Sequence, residues 1–319
     1  MEPVISAEEF LQRYEEGERD FTGVNLAGVN LSGKTLESNV SLSQANLSNA
    51  NLANAKLIQV NLIGANLQGA NLNSTNLQSA DLIGANLSGA NLTKATLSHA
   101  RLIQANLSQA KLSEANLNSA NLTTANLSRA NLTQASLNSA NLTGADLSQA
   151  KVTKVNLSSA NLSGVNLTGV SLIGVNLQQV NLSGMNLSGV NLTGTNLSYA
   201  NLSGVNLSGV NLSGANLSAA NLDGANLTGV NLIGVNLQSV NLSGQNLSGF
   251  NLCGTSLIGV NLSEANLTSA DLRGANLMMA NLEKANLKEA KLAGANMAGA
   301  NMDRAKLAGA IMPDGTIHE

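Results

Sequence analysis

From Leu42 to Met312 a large aliphatic residue returns at every fifth position, 55 times in succession without a slip. Leu holds the position throughout except at Val152, Met297, Met302 and Met312. Two residues earlier stands a small residue, usually Ala or Val, and one residue earlier stands Asn or, more rarely, Asp; Ala85-Asn86-Leu87-Ser88-Gly89 is a representative unit. A period of five fits neither the 3.6-residue helix nor the alternation of an isolated strand. The 30 glycines and the dense Asn, Ser and Thr also make a long helix costly. Short extended edges joined by regular corners do fit. Within one edge the small residue and the Leu lie on the same side, as strand alternation requires. The remaining positions face water or turn the corner, where Gly takes positive φ at little cost.

One such edge cannot bury its Leu alone. Coiling the chain so that edges stack closes a continuous Leu/Ala/Val interior in which each coil touches only its neighbours. The five-residue period does not fix the number of edges per coil, but three features favour a 20-residue coil. The segment from Ser171 to Gly184 recurs nearly unchanged from Asn231 to Gly244, an offset of 60 that keeps every face in register. Asp81 and Arg101 stand 20 apart at equivalent positions, as do Lys94 and Glu114. Glu264, Lys284 and Arg304 form another such row, with Asp303 beside the like-charged step. Stacked opposite charges contribute roughly 0.2–1 kcal/mol per pair. Upstream, Phe21, Leu26, Leu31 and Leu36 keep the spacing of five. One extra residue then separates Leu36 from Leu42 and predicts a bulged corner in the second coil, near residues 37–41.

The unit Ala-Asn-Leu-Ser-Gly, and Ala-Asp-Leu-Ser-Gln at Ala145 to Gln149, resemble the pentapeptide repeat family, whose pattern is Ala-(Asp/Asn)-Leu-x-x. The resemblance implies an all-β fold, a right-handed quadrilateral β-helix with four pentapeptides per coil. In this chain it gives a solenoid of about 15 coils over residues 21–312. Residues 1–20 are expected to carry a capping α-helix, and residues 313–319 a C-terminal cap or tail. The stretch from Arg13 to Phe21 and the ending Met-Pro-Asp-Gly-Thr-Ile-His resemble cytoplasmic members from photosynthetic bacteria, some associated with regulation of cell differentiation.

The ends depart from the repeat because a solenoid must cover the open ends of its core. Ser6 has an N-cap's position with Glu9 three residues on, and Ile5 and Phe10 have the spacing of a hydrophobic staple. Gly17 is placed to end the helix. Phe10, Leu11 and Tyr14 share a face expected to lie over the first coil, while Glu8, Glu9, Arg13, Glu15 and Glu16 are expected to face water. At the other end Pro313-Asp314-Gly315 is a turn signal, and Thr316-Ile317 is expected to fold back over the last coil. Within the repeat, Phe250 stands in a slot of Ala and Val and must widen its coil or tilt outward.

The net charge is −3, and between Lys154 and Glu264 the one charged side chain is Asp223. No basic track exists for nucleic-acid binding by counterion release. Some pentapeptide repeat proteins imitate duplex DNA and protect topoisomerases, with outward positions rich in Asp and Glu. Here Asp precedes the repeat aliphatic or aromatic residue only at Asp20, Asp81, Asp146 and Asp271, which disfavours a DNA-mimic binder of a DNA topoisomerase. An ice- or surface-binding role is a second alternative; Thr123 and Thr143 stack, but no long Thr ladder follows.

Catalytic, cofactor and metal sites are all read as none. The two histidines, His99 and His318, stand apart, and Cys253 is alone, so a transition-metal site has almost no ligands. No apolar stretch approaches the ~20 residues of a membrane span. The start lacks a signal peptide's features, and an outward Cys253 fits a reducing compartment, so a cytoplasmic location is expected. The many Asn-Leu-Ser/Thr triplets match the glycosylation pattern but are the repeat itself.

One outward feature stands out. Ile63, Ile83 and Ile103 follow repeat leucines at the usual Ser or Thr position and are 20 apart, and Ile58 lies on the adjoining edge. Read as β-propensity, branched residues simply suit a strand face. Read functionally, they form a hydrophobic patch for a partner or for self-association. The expected function is a non-catalytic rigid scaffold or protein-interaction rod with a regulatory role. Its partner is a protein of unspecified identity, neither nucleic acid nor membrane, and self-association through a coil end is left open.

Overall fold

The computed structural model describes residues 3–319, and among them one α-helix, α1 (Ala7–Glu15), precedes a long series of short bridged edges. The chain forms two compact units, Met1–Ser171 and Leu172–Glu319.

In the first unit each edge is joined to the equivalent edge of a neighbouring coil by a parallel bridge, and edges such as Ser41 and Asn86 are bridged on both sides. The first four bridges, Asp20–Ser41 to Thr35–Lys56, step by 21 residues, and from Ser41–Asn61 to Asp146–Asn166 the step is 20. Four bridges per 20 residues give a four-edged coil. The extra residue between Leu36 and Leu42 therefore closes the first coil, and does not bulge the second as the count from sequence predicts. The rule for one edge is simple. The Leu87 N–H donates to the carbonyl of Asn106 on the next coil at 2.7 Å, and the Asn106 N–H donates back to Ala85 at 2.9 Å. These bonds leave both inward residues buried: Ala85, Leu87 and Leu107 are fully inaccessible.

The corner uses a short local bond, Ala90 N–H to the Leu87 carbonyl at 3.0 Å, and needs the residue two after Leu in the left-handed region. Gly fills many corners, but Gln44, Lys94, Ser119 and Arg129 take φ between 56° and 59° there. An L-residue in that conformation carries a penalty of about 1–2 kcal/mol, so the stack holds these corners against their own preference.

Asn is explained by the same geometry. The Ser88 N–H donates to Asn86 Oδ1 at 3.2 Å, fixing the corner. Asn86 Nδ2 donates to Asn66 Oδ1 at 3.2 Å, and Asn106 Nδ2 donates to Asn86 Oδ1 at 3.3 Å. A side chain that both donates and accepts can continue such a ladder in both directions while it holds its own turn. Where Thr enters the small slot, at Thr75, Thr195 and Thr255, its buried hydroxyl donates to the carbonyl of Leu52, Leu192 or Leu252 at 2.7 Å.

Ahead of the first coil, Ser6 Oγ accepts from the Glu9 N–H at 3.0 Å and starts α1. Phe10 is fully buried, its ring centroid 4.5 Å from that of Phe21, while Leu11 and Tyr14 are half-buried. The Ile5 N–H donates to the Asn25 carbonyl at 3.0 Å, and the Glu37 N–H donates to Tyr14 Oη at 3.2 Å. Gly17, at φ 101°, follows the helix. Arg13 corrects an expectation: it does not simply face water. Its guanidinium makes two bonds to the Glu18 carboxylate, at 2.7 and 2.6 Å, and lies 5.5 Å from the centre of the Phe21 ring.

The second unit repeats the rule from Asn176–Asn196 to Asn216–Asn236 and again from Asn236–Ser256 to Lys291–Ile311. At its end Ile317 pairs antiparallel with Ile311, and the Met312 N–H donates to Thr316 at 2.7 Å around the Pro313-Asp314-Gly315 turn. The segment thus folds back onto the last edge, and the Ile317 side chain itself is 70% exposed. Met297, Met302 and Leu307 are left half-exposed there.

Candidate functional site

The stacking rule decides what each outward residue can do. Asn61, Asp81 and Arg101 bridge in sequence, so Ile63, Ile83 and Ile103, two positions on, lie on one face of three successive coils. Backbone bonds fix the step: the Gly64 N–H donates to the Ile83 carbonyl and the Gly84 N–H to the Ile103 carbonyl, both at 2.9 Å. Ile58 lies on the adjoining edge, bridged through Lys56 to Asn76. Ile58 and Ile63 are each 37% exposed, whereas Ile83 and Ile103 are half-buried. The isolated Ile173 and Ile233 are 55% and 48% exposed. Beside the ladder, Arg101 Nη1 meets Asp81 Oδ2 at 2.6 Å, giving the apolar row a charged border.

The other long-range pairs expected at 20-residue spacing are present. Lys94 Nζ stands 3.7 Å from Glu114, and Lys284 Nζ 3.1 Å from Glu264. Glu264 holds the Lys284 ammonium above the usual lysine range. Arg304 turns to Asp303 at 3.5 Å, which eases the like-charged step. Asp271 is held below the usual carboxylate range by its hydrogen bonds from Arg273, the nearer at 2.7 Å. Sequence reasoning misses that pair because it is local to one edge, and two residues of separation on an outward face carry no periodic signal.

The polar surface offers fewer free groups than its composition suggests. Most ladder Asn carbonyl oxygens already accept the N–H two residues on. Thr93, Thr123, Thr133 and Thr143 each donate the hydroxyl to their own Asn at 2.6–2.7 Å. Among the described residues no group of three or more His, Cys, Asp or Glu converges as metal ligands would. His99 occupies a corner at φ 59°, and Cys253 is exposed. No helix among the described residues is long and apolar enough to cross a membrane.

The sequence model for pentapeptide repeats matches overlapping segments from residue 38 to residue 314. The chain belongs to the pentapeptide repeat family. Proteins of this family fold as right-handed quadrilateral β-helices and are generally structural or interaction proteins. Among solved pentapeptide repeat structures, HetL from the cyanobacterium Nostoc sp. strain PCC 7120, described as involved in heterocyst differentiation regulation, is 31% identical. That alignment covers 98% of this chain and 100% of HetL, with a TM-score of 0.30. A pentapeptide repeat protein of the Arabidopsis thaliana thylakoid lumen is 27% identical over 39% of this chain and 68% of its own, with a TM-score of 0.23. QnrB1, a plasmid-mediated fluoroquinolone resistance protein, is 18% identical over 60% of this chain and 86% of its own, with a TM-score of 0.35. The chain matches no curated protein.

Proposed function

We propose that this pentapeptide repeat protein is a non-catalytic, cytoplasmic scaffold that binds a regulatory protein partner through the patch formed by Ile58, Ile63, Ile83 and Ile103. The observation that carries this reading is the aligned Ile ladder beside the Asp81–Arg101 pair, on a mostly polar surface. A flat strip of branched side chains with a polar rim is the pattern of a small protein contact. The reported role of HetL in regulating differentiation supports a regulatory reading. A DNA-mimic role has little acidic surface to draw on, with Asp before the repeat residue at four positions. The test is affinity capture from the source organism with the parent protein and with a variant carrying Ile63→Ser, Ile83→Ser and Ile103→Ser. These positions lie outside the Leu/Ala core, so the variant is expected to keep its fold and lose the captured partner. The same partner recovered in equal yield from the folded variant would overturn the assignment. Light scattering on both proteins separates partner loss from loss of self-association.

A further inference from the structure

One step in the second unit breaks the stacking rule. Edges at Asn201, Asn206 and Asn211 bridge normally to Asn221, Asn226 and Asn231, and Asn241, Asn246 and Asn251 bridge normally to Asn261, Asn266 and Asp271. Among the described residues, no bridge joins Asn221, Asn226 or Asn231 to the residue 20 positions on. The backbone N–H groups of Leu222, Gly224, Leu227, Gly229, Leu232 and Gly234 donate no bond across the step, and neither do those of Asn241, Asn246 and Asn251. The fourth face is different. Asn236 bridges both Asn216 and Ser256, and Leu237 and Ser239 donate to Ser256 and Ile258 at 2.9 Å. The individual corners survive, with Ala225 still bonded to Leu222 at 3.0 Å and Val230 to Leu227 at 3.1 Å. Three faces therefore lose their backbone bonds while one keeps them; on the first of the three, Asn241 Nδ2 still donates to Asp223 Oδ1 across the step at 3.2 Å.

Two inward slots beside this step hold unusual residues. Gln245 and Phe250 occupy positions elsewhere filled mostly by Ala and Val, on two of the three faces that lose their bridges, and both are half-buried. Phe250 is too large for a slot stacked on Val230. Gln245 brings an amide into an apolar position; burying it without a partner is unfavourable, and among the described residues no side-chain amide is buried unsatisfied. Parting the coils gives the ring room and the amide water. The exposure of facing residues agrees: Leu227 and Val230 rise to 5% and 7%, against 0% and 1% for Leu207 and Val210 one coil earlier.

We propose that this step is a built-in hinge, with residues 241–312 swinging on the fourth face, through Asn236–Ser256, relative to residues 172–235. The edge bonds within each side are intact, so motion concentrates at the parted faces and preserves both stacks. The inference stands independently of the Ile patch, which lies in the other unit.

Amide hydrogen exchange on the full chain tests this. In the parent, Leu222, Leu227 and Leu232 are expected to exchange at least about tenfold faster than Leu202, Leu207 and Leu212. A variant carrying Gln245→Ala and Phe250→Val restores small side chains and is expected to bring the two sets within about threefold of each other. Equal protection in the parent, or a folded variant whose exchange is unchanged, would overturn the hinge. A second readout uses nitroxide pairs in a Cys253→Ser background. The pair at Thr228→Cys and Ser248→Cys is expected to show a broader distance distribution than the pair at Gln238→Cys and Ile258→Cys. Equal widths refute the hinge even if the repacked variant fails to fold.

Discussion

Replacing one ladder asparagine separates the two jobs it performs. Asn86 takes part in three hydrogen bonds: it accepts from the Ser88 N–H and from Asn106 Nδ2, and it donates to Asn66 Oδ1, all at 3.2–3.3 Å. Asn86→Ala removes all three and leaves the Ser88 N–H facing a half-buried site. At about 1 kcal/mol net for each bond, reduced because the side chain is half-exposed, the expected loss is about 2 kcal/mol. Asn86→Asp keeps both acceptor roles but turns the bond to Asn66 into a contact between two acceptors, so the expected loss at neutral pH is about 1 kcal/mol. The natural Asp146 shows that the kept half is feasible, since it accepts from the Ser148 N–H and from Asn166 Nδ2, each at 2.9 Å. Urea unfolding followed by far-ultraviolet circular dichroism measures both variants, and amide exchange at Ser88 reports the corner. If Asn86→Ala unfolds within about 0.5 kcal/mol of the parent while the Ser88 amide stays protected, the ladder is ornamental and the argument for Asn fails. If Asn86→Asp is worse than Asn86→Ala, the charge matters more than the bonds.

Two further predictions concern a corner and the N-terminal segment. Ser119 stands exposed at φ 56° without a side-chain bond, so Ser119→Gly relieves left-handed strain and offsets it only partly through unfolded-chain entropy; thermal unfolding is expected to rise by the equivalent of up to about 1 kcal/mol, and a lower midpoint would refute it. The Arg13 guanidinium holds the Glu18 carboxyl below its usual range by a hydrogen bond, so the contribution of this pair is fully present above the ordinary glutamate pKa of about 4.3 and is lost as pH falls through the lower folded value. Acidification below about pH 4 is therefore expected to loosen α1, read from the Phe10 and Phe21 ring resonances, and Glu18→Gln is expected to remove this pH dependence; an identical acid response in the variant would exclude the pair as its source.

The sequence determined the coil. An aliphatic residue at every fifth position with a small residue two before it leaves only stacked edges as a way to bury both, and the 60-residue internal copy and 20-residue charge spacing point to four edges per circuit. The N-cap at Ser6 and the aligned Ile positions were legible for the same reason: each is a local rule or a period. The tertiary structure decided what depends on two coils meeting. Phe250 could be seen as a misfit, but whether it tilted outward or parted the stack depended on Gln245 and on facing Val230, which stands 20 residues away. Arg13 read as a water-facing helix residue until the turn brought Glu18 and Phe21 against it. The exposure of each Ile likewise followed from what stood on the coils before and after it. A five-residue pattern specifies the inward and outward side of an edge, whereas the gap between edges is set by the bulk and hydration of side chains that meet only after the coil has closed.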